Sequence, residues 1–136
     1  MNAEKVSLLV EKAIAARECS YSPYSDFAVG AALLCADGSI YTGANIENSS
    51  FTPTVCAERV AFFSAIHQGH RDFTAIAIVG GKSGNPVSDF CPPCGVCRQV
   101  MGEFCSGDFK IILSDGKTTR VMTLDEIFPS RFDLLD

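Results

Sequence analysis

Tryptophan is absent, histidine occurs twice, and no stretch of the chain concentrates basic residues. The two histidines, His67 and His70, fall late in one helical pattern or just beyond it, which excludes an imidazole-rich metal site. Eleven Lys+Arg against sixteen Asp+Glu leave a net charge of −5, which argues against a sequence-independent grip on a nucleic-acid backbone. No uncharged apolar run is long enough to span a bilayer. Met1-Asn2-Ala3-Glu4-Lys5 opens directly into a charged helical pattern, with no signal peptide. The expectation is a cytoplasmic protein with neither a membrane nor a nucleic-acid partner. What is present is 136 residues, 47% apolar and 20% charged, a globular composition close in length to one domain, residues 1–136.

Seven cysteines, at 19, 35, 56, 91, 94, 97 and 105, make an odd count for a disulfide framework. Without a secretion signal, clustered cysteines read as metal-binding or catalytic before they read as bridges. Cys19, Cys35 and Cys105 each stand in an apolar context and read as small buried hydrophobes.

Apolar residues from Glu4 to about Glu18 recur at helical spacing. Phe27 to Cys35 is a continuous apolar strand, Asp37-Gly38 a hairpin turn, and Ser39 to Asn45 the returning strand. A helix is predicted from about Val55 to Gln68, capped by Thr52 ahead of Pro53, or by Thr54, and ended by Gly69. Phe73 to Val79 is a buried-type strand bounded by Gly80-Gly81. A helix from Gly95 to Phe104, a strand from Phe109 to Ser114, an Asp115-Gly116 turn and a short strand near Thr119 to Met122 follow. Thr123-Leu-Asp-Glu126 is a capping-box pattern for a last short helix. The order α-β-β-α-β-α-β-β-α predicts an α/β fold, a three-layer α/β/α sandwich around a five-stranded mixed sheet. Two Asp-Gly hairpins weigh against the alternative, a flavodoxin-like parallel sheet.

Cys94 and Cys97 stand three apart at a helix start, so both sulfurs share one face. Cys56 opens another helix, with Glu58 two residues on and Arg59 next to it. Two helix starts aimed at one point lower thiolate pKa values and offset the charge of three sulfurs around Zn²⁺, and Arg59 adds a further positive charge. Cys91 has the spacing to close the tetrahedron as a structural site. A redox dithiol is a second alternative, but it leaves Cys56-Ala57-Glu58 without a purpose. With three ligands, one position stays open for a water whose pKa the ion lowers to about 7, and a carboxylate beside it can carry protons. Cys56-Ala57-Glu58 followed by Pro93-Cys94-x-x-Cys97 matches the zinc deaminase signature in its three-cysteine form.

Further blocks surround that signature: Tyr21-Ser-Pro-Tyr-Ser-Asp-Phe27 with Val29-Gly30-Ala-Ala-Leu33, Thr42-Gly-Ala-Asn-Ile-Glu-Asn48, Cys56-Ala-Glu-Arg59, and Pro93-Cys-Gly-Val-Cys-Arg-Gln-Val100. With these, the sequence resembles the cytidine deaminase family, in its small, homotetrameric, three-cysteine form, over nearly the whole chain. The resemblance implies one zinc per chain on Cys56, Cys94 and Cys97, with Glu58 as proton shuttle. It implies Asn45 and Glu47 on the ribose hydroxyls, Phe27 against the pyrimidine, and the Ala57 backbone on the base. Phe128-Pro129-Ser-Arg-Phe132 matches a segment whose aromatic, Phe132, enters a neighbouring subunit's site. The implied reaction is hydrolytic deamination of cytidine and 2′-deoxycytidine in pyrimidine salvage. Phe51 and Cys91 depart from the family pattern without touching ligands or shuttle. Two rivals stand: deamination of another amino-heterocycle such as a nucleoside antibiotic, and a structural zinc module without catalysis.

Overall fold

In the computed structural model, which describes residues 1–135, five strands form one sheet between two helical layers. Helix α1 (Ala3–Arg17) starts on Asn2, whose side chain accepts from Lys5 N at 2.8 Å. Strand β1 (Phe27–Cys35) then pairs antiparallel with β2 (Ile40–Ala44) across the Asp37-Gly38 turn. Helix α2 (Ala57–His67) leads to β3 (Phe73–Lys82), which lies antiparallel against the other edge of β1. Helix α3 (Gly95–Phe104) makes the crossover to β4 (Lys110–Ser114), parallel to β3. Strand β5 (Thr119–Thr123) closes the sheet antiparallel to β4, giving the order β2-β1-β3-β4-β5. The mixed sheet agrees with the sequence reading, and its antiparallel pairs exclude the parallel alternative.

The unbroken apolar run of β1 follows from burial on both faces. Ala31 and Leu33 point into a core with Phe62 of α2 and Met101 of α3, while Ala32 and Leu34 meet Leu9 and Ala13 of α1. Arg17 ends α1 inside the protein with its charge satisfied by carbonyls, donating to Ala28 O, Asn85 O and Lys82 O at 2.7–2.9 Å. The capping box forms as read: Thr123 and Glu126 exchange bonds at the start of α4 (Leu124–Ile127).

Three expectations are corrected. Neither Thr52 nor Thr54 caps α2. The N-cap is Cys56, whose side chain makes no capping bond to the helix amides, and Thr54 Oγ1 instead accepts from Asn48 N and closes its own loop. Strand β3 runs on through Gly80-Gly81 to Lys82, because Phe27, Ala28 and Val29 supply ladder partners there. Cys19 is exposed, because the chain leaves α1 by a turn at the surface.

Candidate metal centre and active site

The first turns of α2 and α3 meet beside the end of β3. Gly43 makes this close approach possible: a side chain there would strike the Ala57 carbonyl and the Ala61 amide of α2. Cys56 and Cys94 are the N-caps of the two helices, and their sulfurs lie 3.6 Å apart. The Cys97 amide donates to Cys94 Sγ at 3.5 Å, and the Cys56, Cys94 and Cys97 sulfurs all lie within 4.8 Å of one another. Sulfurs bound at about 2.3 Å to one tetrahedral ion are roughly 3.8 Å apart, so this all-sulfur donor set fits Zn²⁺. Cys91 is not part of the cluster; its thiol donates to the Asp89 carbonyl at 3.6 Å.

Charge around the sulfurs is arranged for thiolates. Arg59 Nη2 donates to Cys56 Sγ at 3.4 Å. The Cys97 thiol hydrogen bond, with Arg59 and Cys94, draws Cys56 down to about 5, and the same Cys56–Cys97 bond raises Cys97. Arg59 Nε is buried without a hydrogen-bond partner among the described residues, and the guanidinium meets the sulfurs through Nη2. Glu58, 4% exposed, is pushed up to about 7, first by burial and then by the neighbouring Cys56 charge.

A cavity of about 410 Å³ opens above these groups, with Cys56, Cys94, Ala57 and Glu58 at one end and Phe27, Asn45 and Glu47 at the other. Asn45 Oδ1 accepts from Val29 N at 2.9 Å and Ser20 Oγ at 2.5 Å, and Nδ2 donates to Phe27 O at 2.9 Å. One Nδ2 proton remains. Glu47 Oε1 accepts from Tyr24 N and Ser25 N, and Oε2 from Ser25 Oγ at 2.5 Å. One Oε2 lone pair remains. Sequence reasoning treated this pair as recognition groups and missed that both also pin the 20–29 segment. It also missed Gly80, over which the Phe27 ring and Cys91 thiol pack; a side chain there would strike both of these cavity-lining groups. The cue was a glycine pair, read as a strand end. Phe132 lies elsewhere, 69% exposed, with its carbonyl accepting from Gln99 Nε2 at 3.2 Å.

Residues 3–113 match the family model for the cytidine and deoxycytidylate deaminase zinc-binding region. The chain belongs to this deaminase family. Among its relatives are the cytidine deaminases of Halalkalibacterium halodurans, 48% identical over 95% of both chains, and Sporosarcina psychrophila, 49% identical over 93% of both. The blasticidin-S deaminase of Bacillus cereus is 32% identical over 76% of each chain. The crystal structure of cytidine deaminase from Burkholderia pseudomallei superposes with a TM-score of 0.84 at 41% identity, covering 97% of this chain and 100% of that one. Family membership and the sulfur cluster together assign zinc as the cofactor. No helix among the described residues is long and apolar enough to cross a membrane.

Proposed function

We propose that the protein is a zinc-dependent cytidine deaminase that converts cytidine and 2′-deoxycytidine, with water, to uridine and 2′-deoxyuridine and ammonia. The observation that carries this reading is one cavity joining a three-sulfur centre and buried Glu58 to a donor–acceptor pair of sugar-binding type. Bound zinc supplies a water acidic enough to act as nucleophile at neutral pH. Glu58 takes the proton from that nucleophile and hands it to N3 of the pyrimidine. It then carries a second proton to the amino group leaving C4. Phe27 packs against the base, and the Ala57 N–H, free at the first turn of α2, is available to it. The remaining Asn45 proton and Glu47 lone pair suit the two ribose hydroxyls, and the negative charge of Glu47 repels a 5′-phosphate placed close to it.

Arg59 balances the thiolate charge from outside the cavity. Residues 1–136 act as one catalytic domain, in a cytoplasmic homotetramer serving pyrimidine salvage, with Phe132 of each subunit closing a neighbour's site. Its exposed ring, outside its own subunit's cavity, supports that arrangement. The test is ammonia release from cytidine by protein of known metal content. Turnover that follows zinc, at one ion per chain, is expected. Zinc binding without turnover would leave a structural module. The likeness to a blasticidin-S deaminase motivates a second reading, in which blasticidin S is the better substrate. Higher kcat/KM on blasticidin S than on cytidine would select it.

A further inference from the structure

A second set of metal donors lies at the other end of the molecule. Cys35 ends β1 and Phe27 begins it, so the two sites are separated by about 26 Å at the usual strand rise. Two turns deliver the donors. The Asp37-Gly38 hairpin turn places Asp37 beyond Cys35, with Oδ1 accepting from Ser39 N at 2.9 Å and Oδ2 left free of that bond. Gly69, at φ 100°, reverses the chain after α2 so that His70 N bonds the Ala65 carbonyl at 3.0 Å, and the imidazole lands beside Tyr41, 5.1 Å between ring centres.

The Cys35 thiol, Asp37 carboxylate and His70 imidazole have donor atoms within 4.8 Å of one another. His70 Nδ1 and Asp37 Oδ2 are 3.7 Å apart. Nitrogen and oxygen ligands on one tetrahedral ion are roughly 3.3–3.5 Å apart, so this pair needs only a small contraction. The Asp37 side chain is 59% exposed and free to move closer to the sulfur. Cys35 is 1% exposed and makes no side-chain hydrogen bond among the described residues, although its Sγ faces two polar groups. Thiolate, imidazole and carboxylate together select a borderline divalent cation over calcium or magnesium.

We propose that Cys35, Asp37 and His70 bind a second divalent transition-metal ion of the zinc class, which ties the β1–β2 hairpin to the α2–β3 connection. The Cys35 thiol releases its proton to solvent on binding, and water completes the coordination on the exposed Asp37 side.

The experiment starts from enzyme that already holds its catalytic zinc and titrates it with Co²⁺, following bound metal, released zinc and the thiolate-to-cobalt charge-transfer band. Wild type is expected to take up one further equivalent without releasing zinc, with a rise in thermal midpoint. Asp37→Asn keeps the turn bond to Ser39, and His70→Ala leaves the buried thiol in place. Each should lose the extra equivalent and the thermal shift while keeping the first metal and full turnover. Cys35→Ser, if it folds, should lose the charge-transfer band. No further equivalent in wild type overturns the site, and so does an equivalent that persists in both the Asp37 and His70 variants. Deaminase turnover is a separate readout here, so failure of this site and failure of the proposed reaction are distinguishable.

Discussion

Glu58 and Cys91 face the same cavity with opposite prospects. Cys91 is held toward the Asp89 carbonyl, and burial, followed by the charges of Asp89 and Glu58, pushes its thiol up to about 11. Cys91→Ser should therefore keep one zinc per chain and most of the turnover, whereas Cys94→Ser should lose the metal. Zinc loss from the Cys91 variant, measured by metal analysis, would instead describe a closed four-sulfur site. Glu58→Gln keeps size and hydrogen bonding but cannot carry a proton, so kcat should fall by ~10²–10⁴-fold with zinc retained. Near-normal turnover in that variant would remove the shuttle. Glu47→Gln should lower kcat/KM for cytidine by roughly 10- to 150-fold, the loss of ~1.5–3 kcal/mol for a hydrogen bond to a charged group, while sparing free cytosine. Equal losses on both would move Glu47 from the sugar to stability. The same variant has a pH signature. The Ser25 hydroxyl, ahead of the Tyr24 and Ser25 amides, holds the Glu47 carboxyl below its ordinary range. A depressed folded value means stabilisation present above the unfolded value of about 4.3 and lost as pH falls through the folded one. The wild-type lead in thermal midpoint over Glu47→Gln should therefore shrink in acid. The pinning of the 20–29 segment by Asn45 and Glu47 was not legible in the sequence, because it depends on which residues the tertiary fold brings opposite them and not on local spacing.

At the scale of elements, the metal centre is a consequence of how closely α2 can approach β2. Gly43→Ala drives a methyl into the backbone of α2, and overpacking of this kind costs ~1–3 kcal/mol. It should lower both thermal midpoint and zinc affinity, since the displaced turn begins at Cys56. Gly102→Ala has the opposite sign: it sits inside α3 with its nearest neighbour at an ordinary 3.4 Å, and replacing a helical glycine gains ~0.5–1 kcal/mol. Similar thermal shifts for the two variants would show that the approach at Gly43 does not control the site. The contrast also explains what was legible. Helix α3 and strand β1 match their sequence readings end to end, because Cys94 caps a strongly amphipathic stretch and β1 is apolar throughout. The start of α2 was misjudged because two threonines and a proline mimic a cap, whereas the true N-cap is a cysteine placed for the metal. The end of β3 was misjudged because Gly80-Gly81 has the look of a turn, and only pairing with Phe27–Val29 keeps it extended. Both misses fall where packing around the cavity overrides local propensity.

For the molecule as a whole, the position of the C-terminal tail decides whether one chain makes a complete site. Arg98 binds the tail region to the metal loop, donating to Pro93 O at 2.8 Å and to Ile127 O at 2.6 Å. Arg131 pairs with Asp125 at 2.7 Å, and Gln99 holds the Phe132 carbonyl, so Phe132 is anchored on α3 and turned outward. Leu134 and Leu135 are also exposed, as are Tyr24 and Phe51 beside Glu47 and Thr54 at the cavity mouth. An apolar tail on one side and apolar rings around the mouth on the other suit contact between copies of the chain. Closure by a neighbour's ring predicts that Phe132→Ala raises KM with zinc intact, since stacking adds ~0.5–1.5 kcal/mol beyond area burial. The decisive measurement mixes Glu58→Gln chains with Phe132→Ala chains after dissociation and reassembly. A site built from two subunits sorts the defects anew: some sites receive both lesions, others receive an intact Glu58 and an intact neighbouring Phe132, and activity departs from the mean of the two parents. Independent sites give that mean at every mixing ratio. A fully active monomer in analytical ultracentrifugation would contradict shared sites directly, because a lone chain has no second Phe132 to supply.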